Sequence, residues 1–156
     1  MKFATAAAVL ASAVAAAPLE PRVMIPIDVF NITDFQAHSI AHSSWSDLGF
    51  GVTVTTIEPT TSCNVSVLSY QRVGDAPETN CTEPTIAFNF TRTPVGGADF
   101  NIFWRLGEKG LLEGSFTIPP EDFVRGGLGT SVTEQYTGPT SFTISNLTLL
   151  HSVLGP

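Results

Sequence analysis

Positive charge is scarce in this chain. Seven Lys and Arg residues stand against 14 Asp and Glu, a formal net charge of -7. A nucleic-acid binder needs a basic footprint for the phosphates, and the sequence offers none. Charged residues of both signs make up only 13% of the chain, so charge blocks and salt-bridged heptads are missing, which excludes a coiled coil or a charged tail. No apolar run reaches the roughly 20 residues that a transmembrane helix needs. The C-terminal region has no second apolar run, so no lipid anchor and no membrane association are expected. At 156 residues the chain has the length of one domain.

What is present begins with an export signal. Met1-Lys2-Phe3 precedes a small-residue apolar run from Ala4 to Ala17. One positive charge, a short apolar core and an Ala-x-Ala end predict a secretory signal peptide over residues 1–17. Cleavage is expected after Ala15 or one residue later, because Pro18 disfavours a cut just before it. Residues 18–22 read as a short leader or flexible N-terminus, and 23–156 as a single β domain. Secretion gives the two cysteines an oxidising context, and Cys63 and Cys81 are expected to pair. That bond would tie two neighbouring strands across a turn-rich loop and stabilise by about 3 kcal/mol.

Five Asn-x-Ser/Thr triplets place candidate N-glycans at Asn31, Asn64, Asn80, Asn89 and Asn146. Asn80 is the least suited, because Cys81 occupies its middle position. Glycans must face solvent, which orients the strands that carry them.

β-Branched and aromatic residues come in short runs, separated by turn residues at intervals of about 8–15 residues, and this predicts an all-β fold. Strands are expected over Ile27–Ala41 (bent or bulged), Leu48–Ile57, Cys63–Gln71, Thr85–Arg92, Phe100–Leu106, Leu111–Ile118, Thr130–Thr137 and Ser141–Val153. In Cys63–Gln71 and Thr85–Arg92 the alternation sends Cys63, Val65, Phe88 and Phe90 inward and the sequon residues Asn64 and Asn89 outward. Pro119-Pro120 ends a strand, and Glu121-Asp122-Phe123 is expected to make one short turn. In the last strand, Phe142 and Ile144 have one parity and Leu147 and Leu149 the other. A bulge near Ser145-Asn146 would bring all four to the core. The result is a compact antiparallel β-barrel or sandwich of about seven to nine strands. The 11 phenylalanines supply its core.

Residues that carry chemistry are few. His38 and His42, with Asp34 and Asp47, would share a face and hold a metal only on a helix. The segment reads as strand and loop, so no metal site is expected. His151 sits near a strand end and reads as solvated. No Gly-x-Ser-x-Gly elbow exists, which argues against a serine hydrolase. Glu108, Glu113, Glu121 and Asp122 could supply a pair of glycosidase carboxylates but suit a solvated rim balanced by Arg105 and Lys109 equally well. Trp104 and Trp45 are the candidate ligand contacts. Trp104 shares the parity of Ile102 and Leu106, which favours the core; Trp45 lies in a polar loop and is the better exposed aromatic. Gly126-Gly127-Leu128-Gly129 lacks the Lys and Ser/Thr of a phosphate loop. No catalytic residue and no cofactor are expected.

Several segments together resemble the small secreted fungal proteins related to the major Alternaria allergen. Residues Ala15 to Arg22 have the cast of such precursors. Phe30-Asn31-Ile32-Thr33-Asp34-Phe35 and Leu48-Gly49-Phe50 are similar to its opening strands, and Cys63 and Cys81 to its first disulfide. Arg105 to Gly110 followed by Leu111 to Pro119 resembles its hairpin, and Gly126 to Gly129 its glycine-rich loop. The resemblance implies an antiparallel β-barrel acting outside the cell at the boundary between fungus and host. Its members are described as allergens, defence elicitors or effector-like proteins, and some bind host proteins or small aromatic ligands. A second cysteine pair and the N-terminal cysteine of a covalent dimer are missing here, so no disulfide-linked dimer is expected. The leading expectation is a secreted, glycosylated interaction protein. A carbohydrate-binding or carbohydrate-active protein and a structural cell-wall or spore-coat component are the alternatives.

Overall fold

The computed structural model describes residues 29–54, 57–107 and 110–150. The expected signal (1–17), the leader (18–22), Glu108, Lys109 and His151 lie outside the described residues.

The chain opens with β1 (Phe30–Ser39), where Phe30 and Ile32 point inward. The pairing register then shifts between Thr33 and Gln36, and Asp34 takes a φ of 53°. This bulge resets the parity, so that Phe35, Ala37 and Ser39 also face the core. A short Asp side chain tolerates the left-handed conformation better than the flanking Phe or Thr would. In β2 (Trp45–Val54), Ser46, Leu48, Phe50, Val52 and Val54 are buried on alternate positions. β3 (Ile57–Leu68) pairs with β2, and β4 (Ala76–Asn80) with β5 (Ile86–Arg92). β6 (Ala98–Arg105) and β7 (Leu111–Ile118) continue that second sheet. A 3-10 turn at Pro120–Asp122 leads to β8 (Phe123–Gly126), and a second at Gly129–Ser131 to β9 (Thr133–Tyr136). β10 (Phe142–Ile144) and β11 (Leu147–Leu150) close the described chain.

Two antiparallel sheets result. One has the order β3-β2-β1-β9-β8, with β10 sharing the free side of β1; the other has the order β11-β7-β6-β5-β4. The ladders stay separate, so the architecture is the sandwich form of the expected all-β fold. Among the described residues it has eleven strands, more than the sequence suggested. Two of the extra strands formed in stretches read as loop. β4 contains Pro77, which an outermost strand tolerates because one side of it needs no ladder bond. β8 follows the 3-10 turn that comes after the Pro-Pro break. The third arises because Ser141–Val153 is not one bulged strand. The chain crosses at Ser145-Asn146 from the first sheet to the second, which changes the parity without a bulge. Ile144 is buried and Phe142 and Leu147 pack against the core, whereas Leu149 remains exposed.

The disulfide forms as expected between Cys63 and Cys81, with Cα atoms 4.3 Å apart. Its location differs from the expectation. Cys63 lies on β3 and Cys81 just past β4, the outer strands of different sheets, so the bond joins the two layers instead of two ladder neighbours. Thr82 N donates to Ser62 O at 2.8 Å beside it.

Phenylalanine fills the space between the layers. Phe35 sits at the centre, edge-on to Phe100, Tyr136 and Phe142 with centroids 5.2, 4.9 and 5.6 Å away. Phe50 meets Phe88 and Phe100 in the same manner. Edge-to-face geometry suits the ring quadrupoles and contributes beyond simple burial. Gly114 on β7 makes room for this packing, since a Cβ there would stand 2.7 Å from the Phe30 ring.

Candidate interaction site

The structure separates most of the residues that could have formed a catalytic or metal centre. His38 pairs across the ladder with Asp47 at a loose 4.0 Å, both well exposed. His42 lies in the β1–β2 turn and Asp34 at the bulge, so these four groups share no face. Among the described residues no group of three or more His, Cys, Asp or Glu side chains lies together. Glu113 sits within β7 opposite Phe103, while Glu121 and Asp122 lie in the 3-10 turn beyond the far end of that strand. Arg105 does balance carboxylate on the rim, through Glu78, and it also donates to the Asn80 amide oxygen.

The sequon asparagines divide by exposure. Asn64, Asn80 and Asn146 are exposed. Asn31 and Asn89 are half-buried on outward-facing positions, where Asn31 accepts from the Thr143 hydroxyl and Asn89 from the Asn101 amide.

Trp104 is half-buried and packs against the core, as its parity suggested. Trp45, by contrast, is 45% exposed, and it does not stand alone. It pairs in register with Leu68, which is 72% exposed. Ile40 N donates to Trp45 O at 2.9 Å across the β1–β2 turn, which places the exposed Ile40 beside it. Ser69 N donates to Ser44 O and holds the segment leading to exposed Tyr70. Gln71, in a left-handed conformation, donates to Gly129 O at 2.9 Å and draws in the loop that carries Leu128, 87% exposed. One end of the sandwich thus presents Trp45 and Leu68 from the paired ends of β2 and β3, and Ile40, Tyr70 and Leu128 from three separate connections. Isolated exposed apolar residues are ordinary, but a group brought together by backbone hydrogen bonds is the mark of a contact surface. Beside it, the outer face of β1–β3 forms a cleft of about 360 Å³ with Gln36, His38, Asp47, Asn64 and Ser66 on its walls.

A buried ionic cluster escaped the sequence reading. Glu134 on β9 is buried, and its carboxylate accepts from Val73 N at 2.9 Å, Arg92 Nη2 at 3.3 Å and Arg125 Nε at 3.2 Å. Its backbone N–H is met by the buried Ser39 hydroxyl at 2.8 Å. Arg92 lies with its guanidinium carbon 3.7 Å above the Phe123 ring centroid. Burial pulls the Arg92 guanidinium down from its usual value, Glu134 opposes that, and Arg72 and Arg125 add to it. The alternation gave one usable signal: Glu134 has the parity of Tyr136, so an inward Tyr136 implies an inward Glu134.

Tyr136 offers a pH test of this packing. Burial, with a contribution from the Asp122 charge, pushes its hydroxyl up to about 12. An acid whose folded pKa is raised loses stability as pH climbs, since the unfolded chain ionises first. Stability is expected to fall between pH 10 and about 12. Tyr136→Phe should flatten that part of the curve, measured by denaturation at stepped pH; an unchanged slope would mean the hydroxyl is not held this way.

Comparison with known proteins places the architecture. No protein-family model matches the sequence. No curated protein matches it either. A crystal structure of the Alternaria alternata allergen Alt a 1 aligns with a TM-score of 0.51 and 17% identity, over 79% of this chain and 89% of the allergen. Another crystal structure of that allergen aligns with a TM-score of 0.49 and 18% identity, over 80% of this chain and 95% of the allergen. At this identity the likeness is one of architecture, and it meets the resemblance read from the sequence at that level: the chain has the fold of the Alternaria allergen Alt a 1.

Proposed function

We propose that this is a secreted, glycosylated interaction protein without catalysis, effector-like in role, which binds an extracellular partner protein through the end that carries Trp45. The observation that carries the reading is the exposed group of Ile40, Trp45, Leu68 and Tyr70, held in place by backbone hydrogen bonds. Aromatic and aliphatic anchors of this kind dominate the energy of protein interfaces. Export is supported by the Ala-rich signal sequence, the Cys63–Cys81 bond and the shared fold with Alt a 1. A small aromatic compound could stack on the same Trp45 side chain and would compete for it.

Carbohydrate binding is a second reading with one observation in its favour: the polar cleft of Asp47, Asn64 and Ser66 lies on the face from which Trp45 projects. The experiment is a pull-down of the purified secreted protein against host extracellular extracts, run in parallel with a glycan array. A saturable protein partner lost on Trp45→Ala is expected, by about 30-fold or more for a central aromatic anchor. Stability of that variant should change by less than about 0.5 kcal/mol, as for other exposed substitutions. Trp45-dependent capture on glycans alone would replace the protein-partner reading. Retention in the insoluble wall fraction would replace both with a structural role.

A further inference from the structure

The ionic cluster around Glu134 opens to solvent through a cleft of about 500 Å³ lined by Glu134 and Arg92 themselves. Arg72, Arg92 and Arg125 all line it, three of the seven basic residues of an acidic protein. Glu134 answers part of that charge. Asp75, whose carboxylate accepts from Arg92 N at 2.6 Å, answers another part. Of these two carboxylates only Glu134 lines the cleft itself; with Asp75 behind it counted as well, three guanidiniums stand against two carboxylates, a surplus of one positive charge. The hydrogen bonding is incomplete as well. Arg92 Nη2 donates to Gly96 O at 2.7 Å and to Glu134, but Nη1 is buried with no partner. The Arg92 side chain as a whole is only 10% exposed. Thr93 Oγ1 is likewise buried with no partner, and Thr93 lines the same cleft. Buried donors without acceptors are rare because each loses its hydration without return. Here the two that occur among the described residues belong to adjacent residues, Arg92 and Thr93, that both line one cleft, and both atoms sit beneath its surface.

We propose that this cleft is a binding site for the carboxylate of a small monoanionic acid, held by Arg92 Nη1 and the Thr93 hydroxyl and neutralised by Arg72 and Arg125. A carboxylate matches the planar guanidinium fork, and a single charge balances the cluster. The Phe123 ring under Arg92 fixes the plane of the fork before any ligand arrives. A phosphate dianion would overshoot the available charge. The site is independent of the Trp45 surface, and either could fail alone.

The test titrates the isotopically labelled full-length secreted protein with acetate by NMR, against acetamide and chloride at matched ionic strength. Acetate should give saturable shifts confined to residues near 92–96 and 123–125, and the neutral acetamide none. Arg72→Gln changes an exposed side chain, and the fold is checked by its thermal midpoint. It should weaken acetate by about tenfold, the size of one lost charge-assisted contact. Arg125→Gln should weaken it similarly. A blocked dipeptide with a free C-terminus, compared with its amide, separates the sources. Tighter binding than acetate would assign the site to chain termini; equal binding would assign it to free acids. Equal responses to acetate, acetamide and chloride, or acetate binding indifferent to both arginine variants, would overturn the proposal.

Discussion

Glu134→Ala is expected to cost about 3–5 kcal/mol of folding stability, the range found when one member of a buried ion pair is removed. Few single changes to a non-hydrophobic residue in a small domain do more. The carboxylate is the common acceptor for Val73 N–H, Arg92 and Arg125. Its loss strands a buried backbone donor and leaves Arg92, desolvated and close to Arg72 and Arg125, without its counter-charge. Arg125 is mostly solvent-exposed and its bond contributes little. Glu134→Gln keeps an oxygen of the same shape and should lose about half as much, since the geometry survives and the charge does not. Replacing Arg92 and Glu134 together by methionine and leucine should recover much of the loss, because an apolar pair owes no desolvation. Urea denaturation of the three variants settles the matter. A loss below about 1 kcal/mol for Glu134→Ala would show that the cluster is solvated in practice and behaves as a surface pair.

A comparable loss, about 3–5 kcal/mol, is expected for Phe35→Ala. Phe35 is fully buried and touches rings from both sheets: Phe50, Tyr136 and Phe142 from the first, Phe100 from the second. Deleting it opens a space that five strands would have to close, and strands fixed in their ladders cannot easily do so. For a domain of this size the thermal midpoint should drop by about 10–20 °C. Phe35→Leu refills most of the volume and should lose about 1 kcal/mol. The position is also informative because the bulge at Asp34 delivers it. Without the parity reset, Phe35 would face solvent. Asp34→Gly should therefore be tolerated, and a loss as large as that of Phe35→Ala would mean that the Asp side chain has a role of its own.

Much of the sandwich was legible in the sequence, and for a definite reason. Strands buried on one face alternate in hydrophobicity, as Ser46 to Val54 of β2 and Phe88 to Thr91 of β5 do, while Phe100 and Ile102 of β6 keep the pattern and buried Phe103 departs from it. Sequon parity at Asn64 and Asn89 agreed with that alternation, and both side chains face away from the core. The short outer strands were not legible. β4 has five residues including Pro77, and β8 has four, of which only Phe123 packs against the core. Their pairing is decided by the neighbouring strand, and nothing in their own composition announces it. The sheet assignment of the disulfide was hidden for a related reason, since spacing along the chain does not report which layer a cysteine joins. The exposed apolar group proposed as a docking surface was half visible: Trp45 stood out, but Leu68, Tyr70 and Leu128 are gathered by turns and by the Gln71 hydrogen bond to Gly129. The arginine cleft was invisible, because Arg72, Arg92 and Arg125 come from separate stretches and each alone reads as surface charge.

The second sheet is fastened to the first along both of its long sides. On the β4 side the fastening is the Cys63–Cys81 bond; on the β11 side it is the chain itself, crossing in the two residues Ser145 and Asn146. Layers clamped in this way cannot slide or hinge apart as a book opens. A thiol reductant would not by itself release the β4 margin, because Thr82 N still donates to Ser62 O, Glu83 N still donates to the Thr61 hydroxyl, and residues 69–75 still join β3 to β4.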